Sequence, residues 1–153
     1  MLGATTALVR RLETAALEGE KGERLARQLR PAEPLAVGSA VVTGAGALDV
    51  ELLVHGVVQG REERVSRETV RRATTSALQR AADFAIRHLA VAPFGLGAGN
   101  LDPDESAAAM AEPIARQLAT AALPERVTVV VETDDEERAF AAALSSALAR
   151  ATR

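Results

Sequence analysis

The spacing of apolar residues changes character twice along the chain, and each change marks a different kind of element. From Ala4, the residues Leu8, Leu12 and Ala15 recur at steps of four and three, which predicts a short amphipathic helix. Gly19 and Gly22 interrupt that pattern. A second helical piece over Glu23 to Leu29 stops before Pro31 and Pro34. The pattern then becomes β-prone: Ser39-Ala-Val-Val-Thr43, a Gly44-Ala45-Gly46 turn, and a second run from Val50 to Val58.

Helical spacing returns after the charged loop Gln59 to Arg64. Ser66 is placed to cap a helix whose inward face is Val70, Ala73, Ala77, Ala81 and Phe84. Leu89-Ala-Val-Ala-Pro93 then predicts a buried strand, followed by the glycine loop Gly95-Leu-Gly-Ala-Gly99-Asn100. Asp102, Pro103 and Glu105 form the clearest helix start in the chain: a cap, a first-turn proline and a carboxylate that reaches back. Ala107, Met110, Ile114, Leu118 and Ala121 continue that helix face, and Pro113 is expected to kink or split it. Arg126 to Glu132 is the strongest strand pattern. Thr133 and Glu136 open a last helix with Phe140, Leu144, Ala147 and Leu148 on one side. Strand and helix alternate from Ser39 onward, so the expected class is α/β, with strands parallel and buried.

Composition narrows the chemistry. A length of 153 residues fits one domain, residues 1–153. Phe84, Phe94 and Phe140 are the only aromatic residues, and roughly a fifth of the chain is alanine, so the core must pack small aliphatic side chains closely. With no cysteine there is no disulfide, thiol nucleophile or zinc-thiolate site, and His55 and His88 alone do not furnish a histidine-rich metal centre. No metal and no cofactor is expected. The formal charge is -3, and all 18 basic residues except Lys21 are arginine, a balance that argues against a nucleic-acid surface. No apolar run approaches the roughly 20 residues of a membrane span. The first residues, running into Arg10 and Arg11, make a poor signal peptide. A soluble, cytoplasmic protein is the expectation.

The loop Pro93 to Asn100 follows a strand and precedes a capped helix, where ligands sit in open α/β sheets. Its glycines leave backbone N–H groups free to wrap a phosphate, with the helix N-terminus adding favourable field. The alternative is a tight turn that needs glycine for its angles alone. Asp102, Asp104 and Glu105 read as helix capping rather than as a metal site or catalytic pair, and Thr133 to Glu137 read the same way, with contact between Asp134 and a ligand at the sheet's rim as the lesser alternative. His55 and His88 lack a Ser or Asp at triad spacing and are assigned structural roles. Phe94 borders the glycine loop, where it either stacks on a base or packs in the core; packing is favoured.

The stretch Gly38-Ser-Ala40-Val-Val-Thr43-Gly-Ala-Gly46-Ala-Leu48, followed by Val54-His55, resembles the macro domain pattern: Gly-x-Ala-x-x-Thr, a glycine turn, Leu, then a strand ending in Val/Ile-His. The later order of elements agrees, so the resemblance covers roughly residues 2 to 148. It implies a three-layer α/β/α module with a mostly parallel or mixed sheet that binds ADP-ribose or related metabolites, sometimes with hydrolysis of ADP-ribosyl bonds. The family's second phosphate loop, Gly-Thr-Gly-x-x-Gly, corresponds to Gly95, Leu96, Gly97, Ala98, Gly99 and Asn100, with Leu96 or Ala98 in place of threonine. Its first loop corresponds to Gly3, Ala4 and Ala7, with Thr5 and Thr6 replacing glycine and valine.

The family's opening strands, with their Gly-Asp-Ile/Val and Asn-Ala-Ala-Asn segments, would precede Met1. The domain is therefore expected to be an N-terminally shortened relative of four strands, whose sheet closes up or whose chain forms a homodimer unless the sequence is clipped upstream. The resemblance implies ligand-binding residues Gly3, Ala4, Gly95, Gly97, Ala98, Gly99 and Asn100, with ADP-ribose or a similar nucleotide as partner and no catalytic residue. Two other functions are weighed against this binding module: an assembly protein that kept the fold and lost the ligand, and an ADP-ribosyl hydrolase with unrecognised residues.

Overall fold

The computed structural model describes residues 7–28, 35–97 and 100–152. Its elements run α1 (Ala7–Ala16), α2 (Gly19–Gln28), β1 (Ala40–Gly44), β2 (Leu52–Gly56), α3 (Arg67–Asp83), β3 (His88–Val91), α4 (Pro103–Thr120), β4 (Arg126–Val129) and α5 (Asp134–Ala151). Every predicted element is present, although the strands are shorter than their apolar runs and Gly22 lies inside α2 rather than breaking it.

Each long helix begins where the local sequence satisfies its orphan N–H groups. Ser66 accepts from the Thr69 amide and Thr69 Oγ1 accepts from the Ser66 amide, a reciprocal capping box. Asp102 accepts from the Glu105 amide at 2.7 Å, and the Asp102 amide donates back to the Glu105 carboxylate at 3.3 Å. Thr133 caps α5 through the Glu136 amide. Contrary to expectation, α4 is not split at Pro113, which is buried within a continuous helix. A proline forfeits one intrahelical bond, and burial of the surrounding Ala111, Ile114 and Ala115 offsets that local loss.

β1 and β2 pair antiparallel, Ala40 opposite Gly56 through Gly44 opposite Leu52, while β3 and β4 pair parallel, His88 opposite Arg126 through Val91 opposite Val129. The expectation of parallel strands throughout thus holds only for the second pair. A short loop joins β1 to β2, and a parallel pair needs a long crossover such as α4 supplies. The strands form two separate two-stranded ribbons among the described residues; β2 and β3 do not pair, so the sheet has not closed up.

The core lies between the strands and α3, α4 and α5. Val70 and Leu78 of α3, Met110 and Ile114 of α4, and Phe140 of α5 form its buried centre, with Leu89, Val91, Val127 and Val129 packed against them from the strands. These strand residues alternate with exposed His88, Ala90, Arg126 and Thr128. β3 and β4 are therefore covered on one face and are not fully buried as predicted. Phe84 and Leu148, assigned inward by spacing, are 52% and 40% exposed: Phe84 sits at the end of α3, and Leu148 lies off the α5 stripe formed by Ala139, Phe140 and Ala147. α1 and α2 attach at the carboxyl end of β1, where the Ala47 amide donates to Ala16 O and the Gly44 amide to Gln28 Oε1.

Candidate functional site

The glycine loop leaves the carboxyl end of β3 and turns into α4. Its entry is pinned at both backbone groups of Phe94: the carbonyl accepts from Ser106 Oγ at 2.7 Å, and the amide points to Met110 Sδ at 3.1 Å. Ser106 and Met110 are fully buried on α4, so the loop is fastened to the core rather than to the surface. Gly95 follows at φ +85°, a conformation in which side chains are strained, and a Cβ there would meet Leu101 at 2.8 Å and Val70 at 2.9 Å. Gly97 and Asn100 also adopt positive φ, 69° and 60°. Two bonds close the loop on itself: Asn100 N to Gly97 O at 3.0 Å and Leu101 N to Gly95 O at 3.1 Å.

This folding leaves the amides of Gly95, Leu96 and Gly97 without a hydrogen-bond partner among the described residues. They are the donors such a loop has to offer. The N-terminus of α4 contributes less than the sequence implied. Pro103 has no N–H, the Glu105 amide is held by Asp102, and Asp102, Asp104 and Glu105 surround the positive end of the helix with carboxylates. Arg67 Nε donates to Glu105 at 3.4 Å, which ties the starts of α3 and α4 together. An anion at this loop meets backbone donors first and the helix field only after those carboxylates.

Of the predicted binding residues, the structure brings Gly95, Gly97 and Asn100 into one turn. Gly3, Ala4, Ala98 and Gly99 lie outside the described residues. Asp134 is an exposed first-turn residue of α5. Neither Phe140 nor Phe94 presents a free ring: Phe140 is 2% exposed in the core, and the Phe94 ring packs toward Gly56, where a Cβ would lie 2.9 Å from it; the exposed Phe84 sits at the end of α3. Phe94 is partly buried against the core cluster, its ring filling the space over a strand position that glycine leaves open.

Each histidine lies against a threonine of the neighbouring strand. His55 Nε2 lies 2.8 Å from Thr43 Oγ1 across the β1–β2 pair, and burial holds its imidazole below the ordinary value. His88 Nε2 lies 2.9 Å from Thr128 Oγ1 across the other ribbon. Ser106, which anchors the loop without belonging to it, was not singled out from the sequence. A serine directly beside Ala107 in the apolar stripe of α4 was the available signal, since a buried hydroxyl there needs an acceptor.

Comparison with known proteins places this geometry. The family model described as Macro domain matches residues 14–110. This chain belongs to the macro domain family. Among solved structures, a mutant macrodomain of Oceanobacillus iheyensis superposes with TM-score 0.79 over 97% of this chain and 81% of its own, at 16% identity. The macro domain of ganglioside induced differentiation associated protein 2 superposes with TM-score 0.72 over 92% of this chain and 69% of its own, also at 16% identity. At that identity the likeness concerns the fold, and the three-layer α/β/α macro fold is what they share.

An uncharacterized protein of Mycobacterium tuberculosis is 30% identical over 132 residues, 86% of this chain and 36% of its own length. An uncharacterized protein of Aquifex aeolicus is 34% identical over 94 residues, 61% of this chain and 57% of its own. This macro domain thus spans about a third of the length of the mycobacterial relatives it matches. Structures of the Oceanobacillus macrodomain include a mutant with ADPR and a form with ADP. No helix among the described residues is long and apolar enough to cross a membrane.

Proposed function

We propose that this macro domain binds ADP-ribose or a related phosphate-bearing nucleotide and does not turn it over. The diphosphate is held by backbone N–H groups of the loop from Gly95 to Asn100, with Gly3 and Ala4 as the further contacts that the resemblance implies. The observation that carries this reading is the set of unpaired amides at Gly95, Leu96 and Gly97, in a loop whose angles and anchorage are fixed from the core. Donors already oriented cost little ordering when a phosphate arrives. The ADPR- and ADP-bearing structures of a macrodomain with the same fold support the choice of nucleotide.

The absence of turnover is argued from what the polar residues are already doing. His55 is engaged by Thr43 within the β1–β2 ribbon, and Asp102 and Glu105 are engaged in capping each other's backbone. None of these three is left as a free general base beside the loop. With Phe140 buried and Phe94 packed against the core, affinity must come mainly from phosphate contacts.

Calorimetric titration with ADP-ribose is expected to give a dissociation constant better than about a millimolar. Gly97→Glu, on an exposed loop residue, places a carboxylate among the donors and is expected to abolish that heat, with circular dichroism showing the fold retained. No heat from the unaltered chain, or undiminished heat from the variant, overturns the reading.

A further inference from the structure

The outer face of α5 departs from the pattern of a solvated surface helix. On α3 the exposed positions carry Arg67, Glu68, Arg80 and Asp83, as a face turned to water does. α5 carries no charged residue from Ala139 to Ala149, although Ala141, Ala142, Ser145, Ser146 and Ala149 are exposed. A helix uncharged on every side is suited to packing on more than its inner side.

A groove runs beside this face. α4 leaves the carboxyl end of β3 and returns to the start of β4, and α5 leaves the end of β4, so the two helices run parallel and their C-terminal halves meet at the rim opposite the glycine loop. There they bound a groove of about 350 Å³, lined in part by buried Ala115 of α4 and buried Ala147 of α5. Small side chains let the helices approach closely at Ala111, Ala115 and Ala147, and their methyl groups do not fill the cleft above them. Ala142, Ser146 and Ala149, at steps of four and three along α5, form a narrow exposed ridge next to it; Ser146 is bonded to Arg150, which itself lines the groove. Ridge and groove thus share one face.

Charge at the groove identifies the occupant. On the α4 side Glu112 and Arg116 are paired at 3.7 Å, a separation that holds the carboxylate loosely. On the α5 side Arg150 donates to Ser146 Oγ at 2.6 Å and has no acidic partner among the described residues. A twofold contact sets a patch against itself, so a patch holding an unpaired cation and a loosely held carboxylate completes itself when doubled. The levels agree. Ala147 lies across from Ala115, so a twofold axis near Ser146 brings Arg150 of one copy to the level of Ala142 of the other, within about 3 Å along the helix axis of Glu112. A different macromolecule would have to supply both the ridge and the acid, whereas a second copy already carries them.

We propose that two copies of this chain associate about a twofold axis through α4 and α5, the α5 ridge of each seated in the groove of the other and Arg150 of each paired with Glu112 of the other. Each helix has 18 residues and is about 27 Å long, so a pair packed about 10 Å apart presents a face at the small end of specific interfaces. A reversible dimer follows, not a permanent one. The contact lies at the opposite rim from the glycine loop, and the proposal is independent of the nucleotide reading.

The test is light scattering of the 153-residue chain over a range of about 1 to 200 µM. The mass is expected to rise from one chain to two with a midpoint of roughly 10 µM. Ala142→Glu puts a charge on the ridge at an exposed helical position that tolerates glutamate, and is expected to stay folded by circular dichroism and monomeric throughout. Arg150→Glu or Glu112→Arg alone is expected to weaken association about tenfold or more, and the two together to restore it to within about threefold of the unaltered chain. The proposal is overturned by a chain still monomeric at about 200 µM, by a mass that grows past two copies, by an Ala142→Glu variant that dimerises as before, or by a double variant no better than the single ones.

Discussion

His55 shows how one side chain ties stability to pH. Its imidazole sits against Thr43 Oγ1 in a half-buried position of β2, and burial disfavours its charged form. Its folded pKa is therefore below the ordinary 6.5 that it recovers on unfolding. Below 6.5 the unfolded chain binds the proton more readily, so the stability that neutral His55 contributes is present above that value and is lost as pH falls through the folded pKa. Urea midpoints are expected to drop between about pH 7 and about pH 5, and His55→Gln is expected to flatten that part of the profile. An unchanged profile in the variant would assign the pH dependence to the exposed carboxylates. At this scale the sequence indicated a structural histidine but not its partner, because Thr43 lies twelve residues away and comes within reach only through the β1–β2 register.

At the scale of elements, the helices follow their local sequence and the strands follow their neighbours. Capping operates over three residues, which is why Ser66, Asp102 and Thr133 were legible before any tertiary contact was known. Asp102→Ala removes the oxygen that receives the Glu105 amide and is expected to cost about 1 kcal/mol, read as a shift in urea midpoint without a change in slope. Asp102→Asn, which keeps an acceptor, is expected to retain most of the stability. The strand predictions erred in sense and burial for a different reason. Apolar runs show that a strand will pack, but not whether its partner arrives by a short loop or by a crossover.

Across the whole molecule, the glycine loop and the core are one mechanical unit. Met110 fills the centre of the α3, α4 and α5 packing and also lies 3.1 Å from the Phe94 amide at the loop entry. Met110→Ala is expected to destabilise the chain by roughly 2–5 kcal/mol and to weaken nucleotide binding at temperatures where the variant is still folded. Phe140→Ala, with a comparable roughly 3–5 kcal/mol cost, lies on α5 and away from the loop, and is expected to leave the affinity of the folded fraction unchanged. Denaturant melts paired with calorimetry separate the two outcomes. Equal loss of affinity in both variants would show that the loop depends on global stability alone.

The sequence by itself determined the order of helices and strands, the helix caps, the resemblance to macro domains and the position of the glycine loop after the third strand. These are written in short-range spacing, where residues three or four apart share a helix face and glycine permits positive φ. Tertiary structure alone decided that Phe94 packs toward Gly56, that Ser106 and Met110 hold the loop, and that α4 passes through Pro113 unbroken. It also decided that the strands form two ribbons with free edges between them. The physical reason is the same in each case. Backbone pairing and core packing join residues far apart in the chain, and no local pattern specifies which distant group will satisfy a given hydrogen bond or fill a given space.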